Sequence, residues 1–189
     1  LENRTEALSD NAEAKYFKRR KIDGFTYTGE RLRSDRLTTI NAEIIRLGES
    51  RLLEIPELTI LPGDRIGITG DNGTGKSTLL CHIRDTLKLH EDKIIYIKQE
   101  ISRDEWFETE TAIANLSGTD KGELLSVVHR LGSEPERILQ TSMPSPGEIR
   151  KLMLGLGLLK TPVLIMMDEP TNHMDLPSVQ CLEDALSGF

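Results

Sequence analysis

Apolar residues along this chain gather in short unbroken runs, spaced by stretches with helical periodicity. Ile94-Ile95-Tyr96-Ile97-Lys98-Gln99 and Pro162-Val163-Leu164-Ile165-Met166-Met167 are nearly continuous in apolar character, as expected of parallel strands covered on both faces. Arg65-Ile66-Gly67-Ile68-Thr69 predicts a further strand, and Ser77 to Leu89 a helix with Leu79, Leu80, Ile83 and Leu87 near helical spacing. Upstream, Glu43 to Leu47 and Leu52 to Ile60 predict two strands joined by a turn at Leu47-Gly48-Glu49-Ser50. Pro62-Gly63-Asp64 marks a second turn. Ile149 to Leu159 predicts a helix that buries Leu152, Met153, Leu156 and Leu159. Pro177 opens another, with Val179, Leu182 and Leu186 on one face and Gly188 at its end. Strands alternating with helices predict an α/β fold with a mostly parallel sheet and an N-proximal antiparallel part.

Composition narrows the class. With 189 residues, 37% hydrophobic and 29% charged, the chain holds one domain with a real core plus an appendage. No apolar run approaches the ~20 residues that span a bilayer. Cys81 and Cys181 form no disulfide or zinc pattern and read as reduced core residues of a cytosolic protein. The net charge of −7 excludes a domain-wide basic field for nucleic acid. Lys15-Tyr16-Phe17-Lys18-Arg19-Arg20-Lys21 is the one basic run with interleaved aromatics. It reads either as a contact for RNA phosphates or as the solvated face of a helix over Glu6 to Lys21. Phe25-Thr26-Tyr27-Thr28 reads as a short strand. His82, His90 and His129 have no ligand-like companions and read as surface or satisfied side chains. Trp106 and Phe107 read as core or interface anchors.

Two segments carry chemistry. Gly70-Asp71-Asn72-Gly73-Thr74-Gly75-Lys76-Ser77-Thr78 matches the phosphate-binding pattern G-x-x-x-x-G-K-[ST], placed between a predicted strand and a predicted helix as the motif requires. Its glycines let backbone N–H groups close around a di- or triphosphate, and the helix N-terminus adds partial positive charge. Lys76 reaches the β- and γ-phosphates, and the Ser77 hydroxyl is suited to Mg²⁺. The strand ending at Met167 delivers Asp168 and Glu169. An acid at that position holds Mg²⁺ in phosphate-loop enzymes, and its neighbour is placed to orient or deprotonate a water. A third segment, Pro144-Ser145-Pro146-Gly147-Glu148, predicts a helix start. Ser145 is the N-cap, Pro146 stands at the first helical position, and Glu148 completes a capping box. Gly155 and Gly157 each cost that helix about 1 kcal/mol relative to Ala, so close packing is their expected reason.

These segments together resemble an ATP-binding cassette (ABC) ATPase from roughly Ile40 onward. The order is the phosphate loop, Gln99 after a strand, a signature segment at Ser145-Pro146-Gly147-Glu148, the Asp168-Glu169 pair, and Asp175. The run Asp168-Glu169-Pro170-Thr171-Asn172-His173-Met174-Asp175 is similar to the hallmark of the ABC-F class, soluble tandem cassettes that act on the ribosome. The resemblance implies ATP and Mg²⁺ as ligands, with Ser77, Gln99 and Asp168 at the metal and Glu169 and Gln99 in catalysis. His173 takes a structural place beside the site. Ser145, Gly147 and Glu148 would face the ATP of an opposing cassette, with Asp175 at the interface. Pro146 departs from the family pattern because it has no N–H to donate. Leu47 stands where an aromatic often stacks on adenine, and Phe25 or Tyr27 are the other candidates.

The resemblance further implies residues 1–39 as the end of an inter-cassette linker, and 40–189 as the ATPase domain with a helical subdomain at about 101–160. The chain reads as a second cassette whose last core strand and γ-phosphate histidine are not in this sequence, so it is expected to hydrolyse ATP weakly alone. Its partners would be the other cassette of the same protein and the ribosome, in the cytoplasm, as a translation factor or in antibiotic resistance. The other reading is the ATPase subunit of an ABC membrane transporter, whose membrane part is a separate partner.

Overall fold

The computed structural model describes residues 35–48, 51–141, 143–187 and 189. The predicted helix at Glu6 to Lys21, its basic run, Phe25, Tyr27, Glu49, Ser50 and Gly188 lie outside the described residues.

The core is a parallel strand pair, β5 (Ile94–Ile97) beside β6 (Leu164–Met167), in register from Ile94 opposite Leu164 to Ile97 opposite Met167. The ladder runs one step further, with the Asp168 N–H donating to Ile97 O at 2.9 Å. Side chains alternate across a strand, so this pair feeds two cores. Ile95, Ile97, Ile165 and Met167 meet α5 (Pro146–Leu158) and α6 (Leu176–Leu186) through Leu154, Leu158, Leu182 and Ala185. Ile94, Tyr96, Leu164 and Met166 meet Ile83 and Leu87, at the end of α1 (Lys76–Thr86), and the isoleucines of the N-proximal strands.

Those strands form two antiparallel pairs: β2 (Glu43–Leu47) with β3 (Arg51–Ile55), and β1 (Thr38–Ile40) with β4 (Leu58–Ile60). The single strand expected over Leu52 to Ile60 is therefore two. Pro56 cannot donate to a ladder, and the chain leaves β2 there to pair with β1. The expected boundary between 39 and 40 falls inside β1. The strand expected over Arg65-Ile66-Gly67-Ile68-Thr69 has no ladder among the described residues, and Ile66 is half exposed. A strand is defined by its pairing, which apolar character alone does not supply.

Between β5 and β6 the chain is helical: α2 (Arg103–Ala114), α3 (Gly118–Arg130), α4 (Pro135–Gln140) and then α5. They share a third core of Ile113, Leu124, Val128, Ile138 and Leu152, with Trp106 packed against its edge. Phe107, expected as an anchor beside Trp106, is instead 67% exposed. Helix α5 faces two cores at once, so nearly all of its surface is covered. That explains its glycines. A Cβ at Gly155 would stand 2.6 Å from Leu124 Cδ1, and one at Gly157 would stand 2.5 Å from Ile95 Cγ1. Ile95 is β-branched and stiff at χ1. Gly157→Ala is therefore expected to destabilise the domain by about 1–3 kcal/mol through overpacking, despite the better helix propensity of Ala; urea unfolding measures it.

The capping box predicted for α5 is present. Ser145 Oγ accepts from the Glu148 N–H at 3.3 Å, and Glu148 Oε2 accepts from the Ser145 N–H at 2.8 Å. No helix among the described residues is long and apolar enough to cross a membrane.

Candidate functional site

The phosphate loop closes onto the β2–β3 hairpin. Gly75 precedes α1 with φ at 104°, a conformation open to glycine and strained for other residues. A Cβ there would also meet Leu47 Cδ1 at 2.9 Å and Leu53 Cδ2 at 3.3 Å. Arg51 Nη1 donates to Gly73 O at 2.9 Å, tying hairpin to loop. Thr74 Oγ1 donates to Asp71 O at 2.9 Å within the loop. Lys76 Nζ donates to Gly70 O and Asp71 O, both at 2.9 Å. Its ammonium thus lies folded across the loop's own carbonyls. No side chain caps α1, so the N–H groups of its first turn are left to a ligand or water.

The register of β5 and β6 delivers the remaining groups. With Ile97 opposite Met167, the next residues out are Lys98 beside Asp168 and Gln99 beside Glu169. Gln99 Nε2 donates to Glu169 Oε2 at 2.7 Å. Asn172 Nδ2 donates to the same oxygen. Glu169 adopts φ of 48°, a left-handed conformation that costs a non-glycine residue roughly 1–3 kcal/mol and clusters at functional sites. Asp168 is buried below it. The cleft between loop and strand ends has a volume of about 560 Å³, and Asn72, Gly73, Gly75, Lys76, Ser77, Thr78, Gln99, Glu169 and Leu47 line it. Leu47, the expected base-side position, thus reaches the cleft wall.

A second cleft, of about 380 Å³, gathers Ser145, Gly147, Glu148, His173 and Asp175. Here the structure adds detail to the signature residues. Glu148 is buried and both its oxygens are engaged, Oε2 by the N–H and Oγ–H of Ser145 and Oε1 by Arg137. Burial pushes its carboxyl up, but the Ser145 bonds and the Arg137 charge outweigh that and hold it below the ordinary carboxylate value. Glu148 therefore locks the start of α5 and does not face open solvent as a free ligand. Asp175 caps α6, accepting from the Ser178 N–H at 3.2 Å. His173, at φ of 61°, places its carbonyl oxygen in the space that a Cβ on Gly147 would need.

Three participants have no place in the sequence reading, Arg51, Arg150 and Lys151, and Asn172 stands there as a motif member without its bond to Glu169. Arg150 and Lys151 stand mid-helix and are 1% and 6% exposed. Lys151 Nζ donates to Ser133 Oγ at 3.0 Å and Ser178 Oγ at 2.7 Å, joining α5 to α6. Burial pulls the Arg150 guanidinium below its ordinary value, while the charges of Glu169 and Asp168 pull it back up. The available signal was two adjacent cations inside an apolar helix, which a solvated face explains equally well.

The donor set fits a hard cation. A hydroxyl (Ser77), an amide (Gln99) and carboxylates (Asp168, Glu169) are the oxygen ligands that Mg²⁺ takes beside substrate phosphates.

Comparison with known proteins agrees with this geometry. A family model described as ABC transporter matches residues 53–172. The zinc import ATP-binding protein ZnuC of Pseudomonas putida is 27% identical over 153 residues, covering 76% of this chain and 60% of ZnuC. The ATP-binding protein Uup of Buchnera aphidicola is 29% identical over 81% of this chain and 28% of Uup. The ribosome protection protein VmlR of Bacillus subtilis is 33% identical over 75% of this chain and 28% of VmlR. Among solved structures, the complex of archaeal ribosomal stalk protein aP1 and archaeal ribosome recycling factor aABCE1 contains a similar chain. Its TM-score is 0.55 at 25% identity, over 86% of this chain and 33% of that one. This chain thus spans less than two thirds of each of these relatives, from 60% of ZnuC down to 28% of Uup and VmlR.

Proposed function

This chain belongs to the ABC transporter family of ATP-binding domains, and on that premise we propose that it is an ATP-hydrolysing cassette of the ABC-F type acting on the ribosome. The observation that carries the hydrolytic part is the shared cleft. Phosphate-loop residues and the Gln99–Glu169 pair line one space of about 560 Å³, although they lie far apart in sequence.

In this reading the loop N–H groups and the α1 N-terminus hold the β- and γ-phosphates, and Lys76 leaves the loop carbonyls to pair with them. Gln99 and Asn172 aim the Glu169 carboxylate. Glu169 takes a proton from a water whose oxygen attacks the γ-phosphorus. The bond from that phosphorus to the β-phosphate oxygen breaks, releasing ADP and phosphate. Mg²⁺, held by Ser77, Gln99 and Asp168, would neutralise charge on the phosphate oxygens. A second cassette, packed head to tail, would meet the cleft at Ser145, Gly147 and Asp175. Pro146 offers that neighbour one N–H fewer.

Two features support the ribosomal part. The run from Asp168 to Asp175 is similar to the ABC-F hallmark, and one relative, VmlR, is named a ribosome protection protein, while the similar solved chain comes from a complex named for a ribosomal stalk protein and a ribosome recycling factor. A transporter subunit is the second reading, favoured by the similarity to ZnuC. Cells expressing full-length Glu169→Gln protein separate them. ATP-dependent recovery in ribosomal pellets is expected, and exclusive recovery with membranes would select the transporter.

A further inference from the structure

We infer that Arg150 is a positioning residue for hydrolysis, fastening from one buried guanidinium the three residues whose side chains form the Glu169 cluster. Its Nη1 donates to Asn172 O at 2.6 Å and to Glu169 O at 3.2 Å. Its Nη2 donates to Gln99 O, with Lys98 O at 3.5 Å. Gln99, Glu169 and Asn172 are the same three residues that meet at the Glu169 carboxylate. One side chain thus fixes their backbones while their side chains fix one another.

The chemistry suits arginine. The acceptors are four carbonyl oxygens from two separate loops, and a planar five-donor fork can serve them together. An ammonium group has neither that reach nor that geometry. A charge 1% exposed is costly unless its surroundings compensate; here four carbonyl acceptors receive its N–H groups, and the nearby Glu169 and Asp168 charges offset part of the burial cost. Arg150 Nε is buried and has no hydrogen-bond partner among the described residues. A purely structural role would favour a side chain that leaves no orphan donor. The bond to Glu169 O also holds the one catalytic candidate whose backbone lies in the strained left-handed region. Because Arg150 projects from α5, it links the helix that starts at Ser145 to the hydrolytic cluster.

This inference rests on the hydrolytic reading, and one set of variants of the full-length protein tests both. Arg150→Lys is expected to lower kcat about ten- to hundredfold, the size of a small misplacement of a catalytic group. KM and ATP affinity should stay within about twofold of the unmodified protein, the mark of an interaction that matters after binding. In a Glu169→Gln background the same substitution should lower kcat no further, because residues acting as a unit are non-additive. An unchanged kcat in Arg150→Lys, or a full additional loss on top of Glu169→Gln, would overturn the role of Arg150. If Arg150→Lys does not fold, Asn172→Ala takes its place; it keeps the carbonyl that Arg150 holds but removes the side chain which that grip aims at Glu169, and unchanged turnover there would equally overturn the inference. If Glu169→Gln itself leaves turnover intact, the hydrolytic reading fails first.

Discussion

Glu169→Gln in the full-length protein is expected to lower ATP turnover about 10²–10⁴-fold, the usual contribution of a positioned general base. Affinity for ATP should persist, because the phosphate loop and α1 are untouched. The geometry makes the substitution clean. Glu169 Oε2 receives Gln99 Nε2 at 2.7 Å and a second donor from Asn172, and the glutamine carbonyl oxygen can accept both. Shape and most of the hydrogen bonding survive, while the ability to take a proton does not. Single-turnover phosphate release measures the loss, and undiminished release would remove Glu169 from its role.

Gly147→Ala should be the most damaging of the glycine substitutions. A Cβ at this position would fall on the His173 carbonyl oxygen, a backbone atom. That turn cannot retreat easily. His173 is already at φ of 61°, and the preceding Asn172 carbonyl is held by Arg150 at 2.6 Å. Helix propensity alone would favour Ala by about 1 kcal/mol, whereas overpacking costs about 1–3 kcal/mol. With a rigid backbone as the obstacle, the clash should win, and denaturant unfolding should show net destabilisation. Turnover should fall as well, since the displaced turn carries Asn172 and Glu169. A stabilised variant would mean that the approach of α5 to this turn is looser than described.

Much of the site could be read along the chain because its chemistry is local. The phosphate loop, the strand that ends in Asp168-Glu169, and the Ser145–Glu148 capping box are contiguous patterns whose spacing is their mechanism. Gly155 and Gly157 were legible as packing positions because glycine inside a helix needs a reason, and Leu124 and Ile95 supply it. What stayed hidden depends on pairings between distant segments. The stretch over Arg65 to Thr69 looks like a strand but has no ladder among the described residues. Pro56 divides an apolar run that periodicity joins. Charged residues are almost never fully buried unless paired, so nothing in the sequence marks Arg150 and Lys151 as buried side chains. Only the topology gathers carbonyls from the ends of β5 and β6 around Arg150. Asn172 was legible as part of a motif, but its grip on Glu169 required the turn to be seen in three dimensions.

The central claim is that a glycine loop and a paired acid, 92 residues apart from Lys76 to Asp168, converge on one nucleoside triphosphate. Titration calorimetry of the full-length protein with ATP and Mg²⁺ tests it most directly, comparing the unmodified chain with Lys76→Met and with any second cassette disabled in the same way. Saturable uptake that Lys76→Met abolishes is the predicted result. No uptake by the folded protein, or uptake indifferent to Lys76, would contradict the account.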